Sequence, residues 1–98
     1  MLKRFSLISK QKEKRVYKLK IEKGVEKALI KIPEPYLSKL KIAILNLAEN
    51  PRPQGYKKLK GRDGYRIRVA DYRIIYDILD EMLLVQVIDL GHRRDIYQ

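Results

Sequence analysis

Residues 65–98 read YRIRVADYRIIYDILDEMLLVQVIDLGHRRDIYQ, and this run constrains the fold more than any other part of the chain. Charged or polar residues alternate with aliphatic and tyrosyl ones over Tyr65–Val69, Tyr72–Leu79 and Met82–Leu90, the period of a half-buried strand. Ala70-Asp71 and Asp80-Glu81 leave two residues for each reversal, so the three strands form an antiparallel meander. Arg66 and Arg68 then share one face, while Tyr65, Ile67 and Val69 share the other. If Ala70-Asp71 is the whole turn, Val69 stands opposite Tyr72 and Arg68 opposite Arg73. Like charges so placed destabilise a sheet by roughly 0.2–1 kcal/mol. Two readings account for that cost: a solvated basic face partly offset by Asp77, or a face that binds an anion, with RNA as first candidate.

The front half supplies the second layer. Val16–Ile21 (VYKLKI) alternates apolar residues with lysine as a half-exposed strand does, and Gly24 ends it. Val25, Ala28, Leu29 and Ile32 recur at helical spacing up to Pro33. Pro35 suits the first turn of a second helix, whose stripe of Leu37, Leu40, Ile44, Leu47 and Ala48 runs to Asn50-Pro51. Residues 51–64 (PRPQGYKKLKGRDG) hold two of the four prolines and three of the five glycines, and read as a basic loop. The expected fold class is α+β: an N-terminal strand, a helical hairpin, then an antiparallel three-stranded meander, with both helices on one face of the sheet. Residues 1–15 read as a basic extension and 16–98 as one domain.

Charge narrows the partner. The chain carries 23 basic and 12 acidic residues, a net of +11, and they are segregated. Residues 1–20 come to +7, residues 57–73 to +5 and residues 74–98 to −3. Such segregation points to a polyanionic partner, although a lysine-rich surface of the kind found in thermophile proteins also fits the N-terminal cluster. There is no cysteine, hence no disulfide framework and no thiolate, and a single histidine makes a dedicated metal site improbable. No cofactor is implied. No apolar run approaches bilayer-crossing length, so no membrane partner is expected and a cytoplasmic location follows.

Three separated segments can converge on one site. Lys57, Lys58, Lys60 and Arg62 lie in the loop before the meander, Arg66, Arg68 and Arg73 on its face, and Arg93 and Arg94 after its last strand. Arginine's planar fork suits phosphate oxygens. Of the tyrosines at 56, 65, 72, 76 and 97 that could stack on bases, Tyr65, Tyr72 and Tyr76 fit the core side, and Tyr97 is the one expected to stack. Lacking metal and thiol, such a site suits RNA, which brings its own nucleophile in the 2′-OH. The arginines would stabilise the pentavalent phosphate. His92 is either the proton donor to the 5′-oxygen or a surface residue at a strand end.

The stretches NPRPQGYKKLKG, YRIRVADYRIIYDI and VIDLGHRRDIY, between Asn50 and Tyr97, together resemble the RelE toxins of the RelE/ParE toxin–antitoxin superfamily. The strand and helical hairpin from residue 16 fit the same pattern more loosely. The resemblance implies a microbial-RNase-like sheet and a metal-independent endoribonuclease that cuts mRNA in the ribosomal A site by 2′-OH attack. It also implies contact with rRNA and inhibition by a wrapping, RelB-like antitoxin whose acidic or amphipathic segment covers the basic patch. By motif, Arg73 falls at the arginine on the scissile phosphate and Arg93 at the second phosphate-stabilising arginine. Tyr97 falls at the C-terminal tyrosine that orients or stacks on substrate, and Lys60 at the basic loop position. Lys57, Lys58 and Arg94 join Arg66 and Arg68 as substrate-binding residues. Arg66 and Arg68 replace lysines of the best-known member, and arginine cannot shed its proton. The base therefore stays open among His92, Tyr97 and a loop lysine. Ala70 stands where relatives carry glycine. The competing readings are a ParE-like poison of DNA gyrase and a non-catalytic basic module that only grips RNA or the ribosome.

Overall fold

The structure is a computed structural model and describes residues 16–92. The basic segment 1–15 and the tail carrying Arg93, Arg94 and Tyr97 lie outside the described residues. A first strand β1 (Lys18–Ile21) leads into α1 (Lys23–Ile30) and α2 (Tyr36–Glu49), then β2 (Lys57–Lys58), β3 (Tyr65–Val69), β4 (Tyr72–Leu79) and β5 (Leu84–His92). The five strands form one mixed sheet in the order β1-β5-β4-β3-β2. Only β1, beside β5, is parallel to its neighbour.

The α+β layout agrees with expectation, and the differences have local causes. The first strand begins at Lys18 rather than Val16. Pro35 sits just ahead of α2 instead of inside its first turn, after a cis Glu34–Pro35 peptide. The Glu34 carboxylate accepts from the Ser38 backbone N–H (3.0 Å) and serves that helix end in place of a capping side chain at Pro35. The loop 51–64 contains a two-residue strand, β2, because Lys57 and Lys58 pair with Arg66 and Tyr65. The β4–β5 connection is longer than two residues. Asp80–Met82 form a 3₁₀ turn and Leu83 takes a left-handed conformation (φ 49°), so β5 starts at Leu84 and runs to His92.

Side-chain alternation decides what packs where. On one face Ile67, Ile74, Tyr76, Val85, Val87 and Leu90 are buried against Leu40, Ile44 and Leu47 of α2 and Val25 of α1. Leu19 and Ile21 of β1, opposite Val85 and Val87, extend the same layer. Each fully buried aliphatic side chain in it contributes roughly 1.5–3 kcal/mol. Among the described residues, no helix is long and apolar enough to cross a membrane.

Two polar ties hold the loop after α2 to this core. The Tyr76 hydroxyl, fully buried, donates to the Pro51 carbonyl (2.7 Å). Next to it, Arg52 grips both carboxylate oxygens of Asp80 (2.9 and 3.4 Å), and Tyr17 donates to the same carboxylate (2.7 Å). The Arg52–Asp80 pair is part-exposed, so its ion-pair contribution is small, on the order of 0.2–1 kcal/mol. Its effect is to gather the start of β1, the post-helix loop and the β4–β5 turn at one end of the sheet.

Burial above all pushes the Tyr76 phenol well above its ordinary value of 10.0. A raised folded-state value favours the neutral hydroxyl, so this stabilisation is complete below pH 10 and is lost as pH rises further. Tyr76→Phe is expected to lower unfolding free energy by about 1–3 kcal/mol, because the Pro51 carbonyl loses its donor. Urea titrations between pH 7 and 11 should show the wild type losing stability above pH 10 and Tyr76→Phe losing less.

Candidate nucleic-acid interface

The turn at Ala70-Asp71 sets up the site. Ala70 takes φ 55°, a region that costs a non-glycine residue roughly 1–2 kcal/mol, yet the reversal is as tight as a two-residue turn requires. Val69 pairs with Tyr72, Arg68 with Arg73, Ile67 with Ile74, Arg66 with Ile75 and Tyr65 with Tyr76. Directly paired residues project to the same side. Arg66, Arg68 and Arg73 therefore share the face away from the helices, and Lys57, opposite Arg66, joins them from β2.

The four cations differ in environment. Lys57 and Arg68 are exposed and Arg66 is half-buried, whereas Arg73 retains only 4% of its accessible surface. A solvated basic face thus describes Arg68 and Lys57 but not Arg73, whose guanidinium is largely withdrawn from water. A cation in that setting interacts more strongly with an arriving anion than one in bulk solvent. It is also held in place, so little side-chain freedom is lost on binding.

The remaining sequence candidates are distributed otherwise. Lys58 pairs with Tyr65 and so projects from the opposite side of the sheet to Arg66. Lys60 and Arg62 are exposed in the β2–β3 loop, which the Leu59 N–H to Gly64 carbonyl hydrogen bond closes (3.0 Å). His92 pairs with Tyr72, on the helix side of the sheet, and meets the Tyr72 ring edge-on at 5.5 Å. Tyr36 completes that group, 5.9 Å from Tyr72. The strand register thus places His92 on the face opposite Arg73. Arg93, Arg94 and Tyr97 lie outside the described residues.

The tyrosines follow their expected side. Tyr56, Tyr65 and Tyr76 form a tilted series at 5.9 and 6.0 Å, with the Arg52 guanidinium 5.9 Å from the Tyr65 ring centre. Asp80 first, then Tyr65, raises the Arg52 value above that of an ordinary arginine, against the lowering effect of burial. Among the described strand residues, the arginine face carries no aromatic side chain.

One neighbour of the arginines was not anticipated. Simple alternation from Val85 and Val87 would send Asp89 into the core. A β-bulge intervenes: Tyr76 pairs with Val87 and Ile75 with Asp89, so Ile88 is an extra residue. Leu90 turns inward and the Asp89 carboxylate emerges on the arginine face. The sequence signal was the apolar spacing 85, 87, 90, which breaks period two.

Lys57→Thr is expected to affect stability and binding in opposite senses. Removing the like-charge pair with Arg66 should raise unfolding free energy by roughly 0.2–1 kcal/mol. The same change should weaken binding to a homopolymeric RNA and flatten its salt dependence by about one counterion. Thermal melts and RNA titrations at several salt concentrations check both.

A family profile described as the ParE toxin of the type II toxin–antitoxin system parDE matches residues 19–97. Among solved structures, the chain is similar to the archaeal RelE of the RelE–RelB complex from Pyrococcus horikoshii, at 31% identity and TM-score 0.72, over 80% of this chain and 96% of that one. It is similar to the toxin of the intact E. coli RelBE complex at 30% identity and TM-score 0.67, over 78% and 95% of the two chains. The RelB–RelE complex of Methanococcus jannaschii gives 25% identity and TM-score 0.67, over 81% and 95%. No curated protein matches the chain.

Proposed function

We propose that this chain, which belongs to the RelE/ParE superfamily of type II toxin–antitoxin toxins, is a ribosome-dependent endoribonuclease that cleaves mRNA in the A site. The observation that carries the reading is the withdrawn Arg73 standing directly opposite Arg68, flanked by Arg66 and Lys57. Fixed, forked, permanently charged donors on one face suit a phosphodiester whose charge grows in the transition state. The attacking group is the substrate's own 2′-OH, and holding it in line with the scissile bond is most of what such a site must do.

In this reading Arg73 and Arg68 stabilise the pentavalent phosphate, and Arg66 and Lys57 track the neighbouring backbone. Arg93 adds a second phosphate-stabilising guanidinium and Tyr97 orients the substrate, as the family motif implies. Lys60 contacts RNA from its loop and Arg94 is a further backbone contact, whereas Lys58, on the other side of the sheet, does not join the arginine face. The position of His92 against Tyr72, on the helix side, favours a packing role over proton donation at the arginine face. The neighbouring structures are described as complexes with RelB antitoxins. We infer a cognate antitoxin for this toxin, with a segment able to neutralise the same basic face in a cytoplasmic complex.

The second reading, poisoning of DNA gyrase, draws its support from the ParE profile. One experiment separates the two: primer extension on a reporter mRNA after brief induction, with translation running or blocked. The wild type should cut inside translated codons only. Arg73→Ala should reduce cutting by about 10²–10³-fold, the loss typical of a removed transition-state donor. Arg73→Lys, which keeps the charge but not the fork, should recover part of it. Intact mRNA in arrested cells, with gyrase-linked DNA breaks, would establish the gyrase reading instead.

A further inference from the structure

The arginine face, taken as a nuclease site, lacks a proton acceptor among its cations. Arg66, Arg68 and Arg73 are donors only, and a lysine ammonium such as that of Lys57 has no acceptor either. The sheet does bring a carboxylate beside Arg73 on this face, and it does so through an irregularity. The bulge at Ile88 rotates β5 by one residue, turning Leu90 into the core and Asp89 out. Bulges commonly re-aim a side chain beside an active site.

We propose that Asp89 is the general base that takes the proton of the 2′-OH, an assignment that rests on the nuclease reading above. Its placement supports this. On β5, Gly91 stands opposite Arg73 and Asp89 stands two residues earlier on the same face, opposite Ile75. Asp89 is thus the diagonal neighbour of Arg73, about 7–8 Å away by the usual spacing of a sheet. Gly91 places no side chain between them. Asp89 is exposed, and among the described residues it forms no salt bridge. One carboxylate oxygen, Oδ1, accepts from the Leu90 N–H (2.8 Å), which steadies the side chain and leaves Oδ2 for substrate. Asp77, also on this face, is opposite Gln86 and a further two residues along β4 beyond Ile75, farther from Arg73 than Asp89 is, and the Glu22 carboxylate is engaged by Gln86 at the same distant end.

The step balances without a cofactor. Asp89 Oδ2 accepts the 2′-OH proton as the 2′-oxygen bonds to phosphorus. The bond from phosphorus to the 5′-oxygen breaks, and that oxygen takes a proton from solvent water. The products are a 2′,3′-cyclic phosphate and a 5′-hydroxyl, and Asp89 returns its proton to the hydroxide left in solvent.

The test is single-turnover cleavage by purified toxin on ribosomes programmed with a defined mRNA, alongside affinity for the same complex carrying a 2′-deoxy nucleotide at the cut. Asp89→Asn preserves size and the oxygen that accepts from Leu90, so the bulge keeps its hydrogen bond. It is expected to slow cleavage by about 10²–10⁴-fold while changing affinity by less than about twofold. Asp89→Glu should regain part of the rate, and Asp77→Asn should cleave as the wild type does. Wild-type cleavage by Asp89→Asn overturns the assignment. So does a parallel loss of affinity and rate, which would make Asp89 a positioning residue. A wild type that leaves the mRNA intact overturns the nuclease reading itself, an outcome distinct from both.

Discussion

The two-residue reversal at Ala70-Asp71 locks β3 to β4 with Val69 opposite Tyr72, and every facing of the sheet depends on that register. A slip of one residue would carry Arg73 towards the helices and Ile74 towards solvent, since side chains alternate with period two. The core resists such a slip, because Ile67, Ile74 and Tyr76 are buried together under Leu40, Ile44 and Leu47. Like-charged Arg68 and Arg73 are therefore forced into opposition by the burial of their neighbours. The hydrophobic layer supplies the energy that holds the cations together, and the left-handed backbone at Ala70 is part of the same cost.

The far end of the sheet is organised by polar contacts. Tyr76 reaches through the core to Pro51, while Asp80 gathers Arg52 and Tyr17. These ties fix where the chain leaves α2 and so where β2 meets β3, which brings Lys57 beside Arg66. A buried tyrosine hydroxyl on the helix side of the sheet thus bears on the shape of the basic face on the other side.

Most of the layout was legible from local pattern. The apolar stripe from Leu37 to Ala48, the alternation over Tyr65–Leu79 and the prolines between the helices each reflect a single element's periodicity. Arg68 opposite Arg73 was legible too, because a tight turn converts sequence spacing directly into pairing. The bulge at Ile88 was not, since period two read through Val85 and Val87 sends Asp89 inward; the misfit at Leu90 was the only trace. The strand at Lys57–Lys58 was hidden as well: two residues in a loop rich in glycine and proline become a strand only because β3 lies alongside.

The sequence by itself determined the class of fold, the arginine-bearing strands and the cationic character of the protein's own surface. Those properties follow from hydrophobic periodicity and net charge, which are local or additive. Tertiary structure alone decided that Arg73 is withdrawn from water, that His92 faces Tyr72 and that Asp89 emerges beside the arginines. Burial and facing at those positions depend on which strand lies alongside and in what register. That is a property of pairs distant in sequence, fixed only when the whole core packs at once.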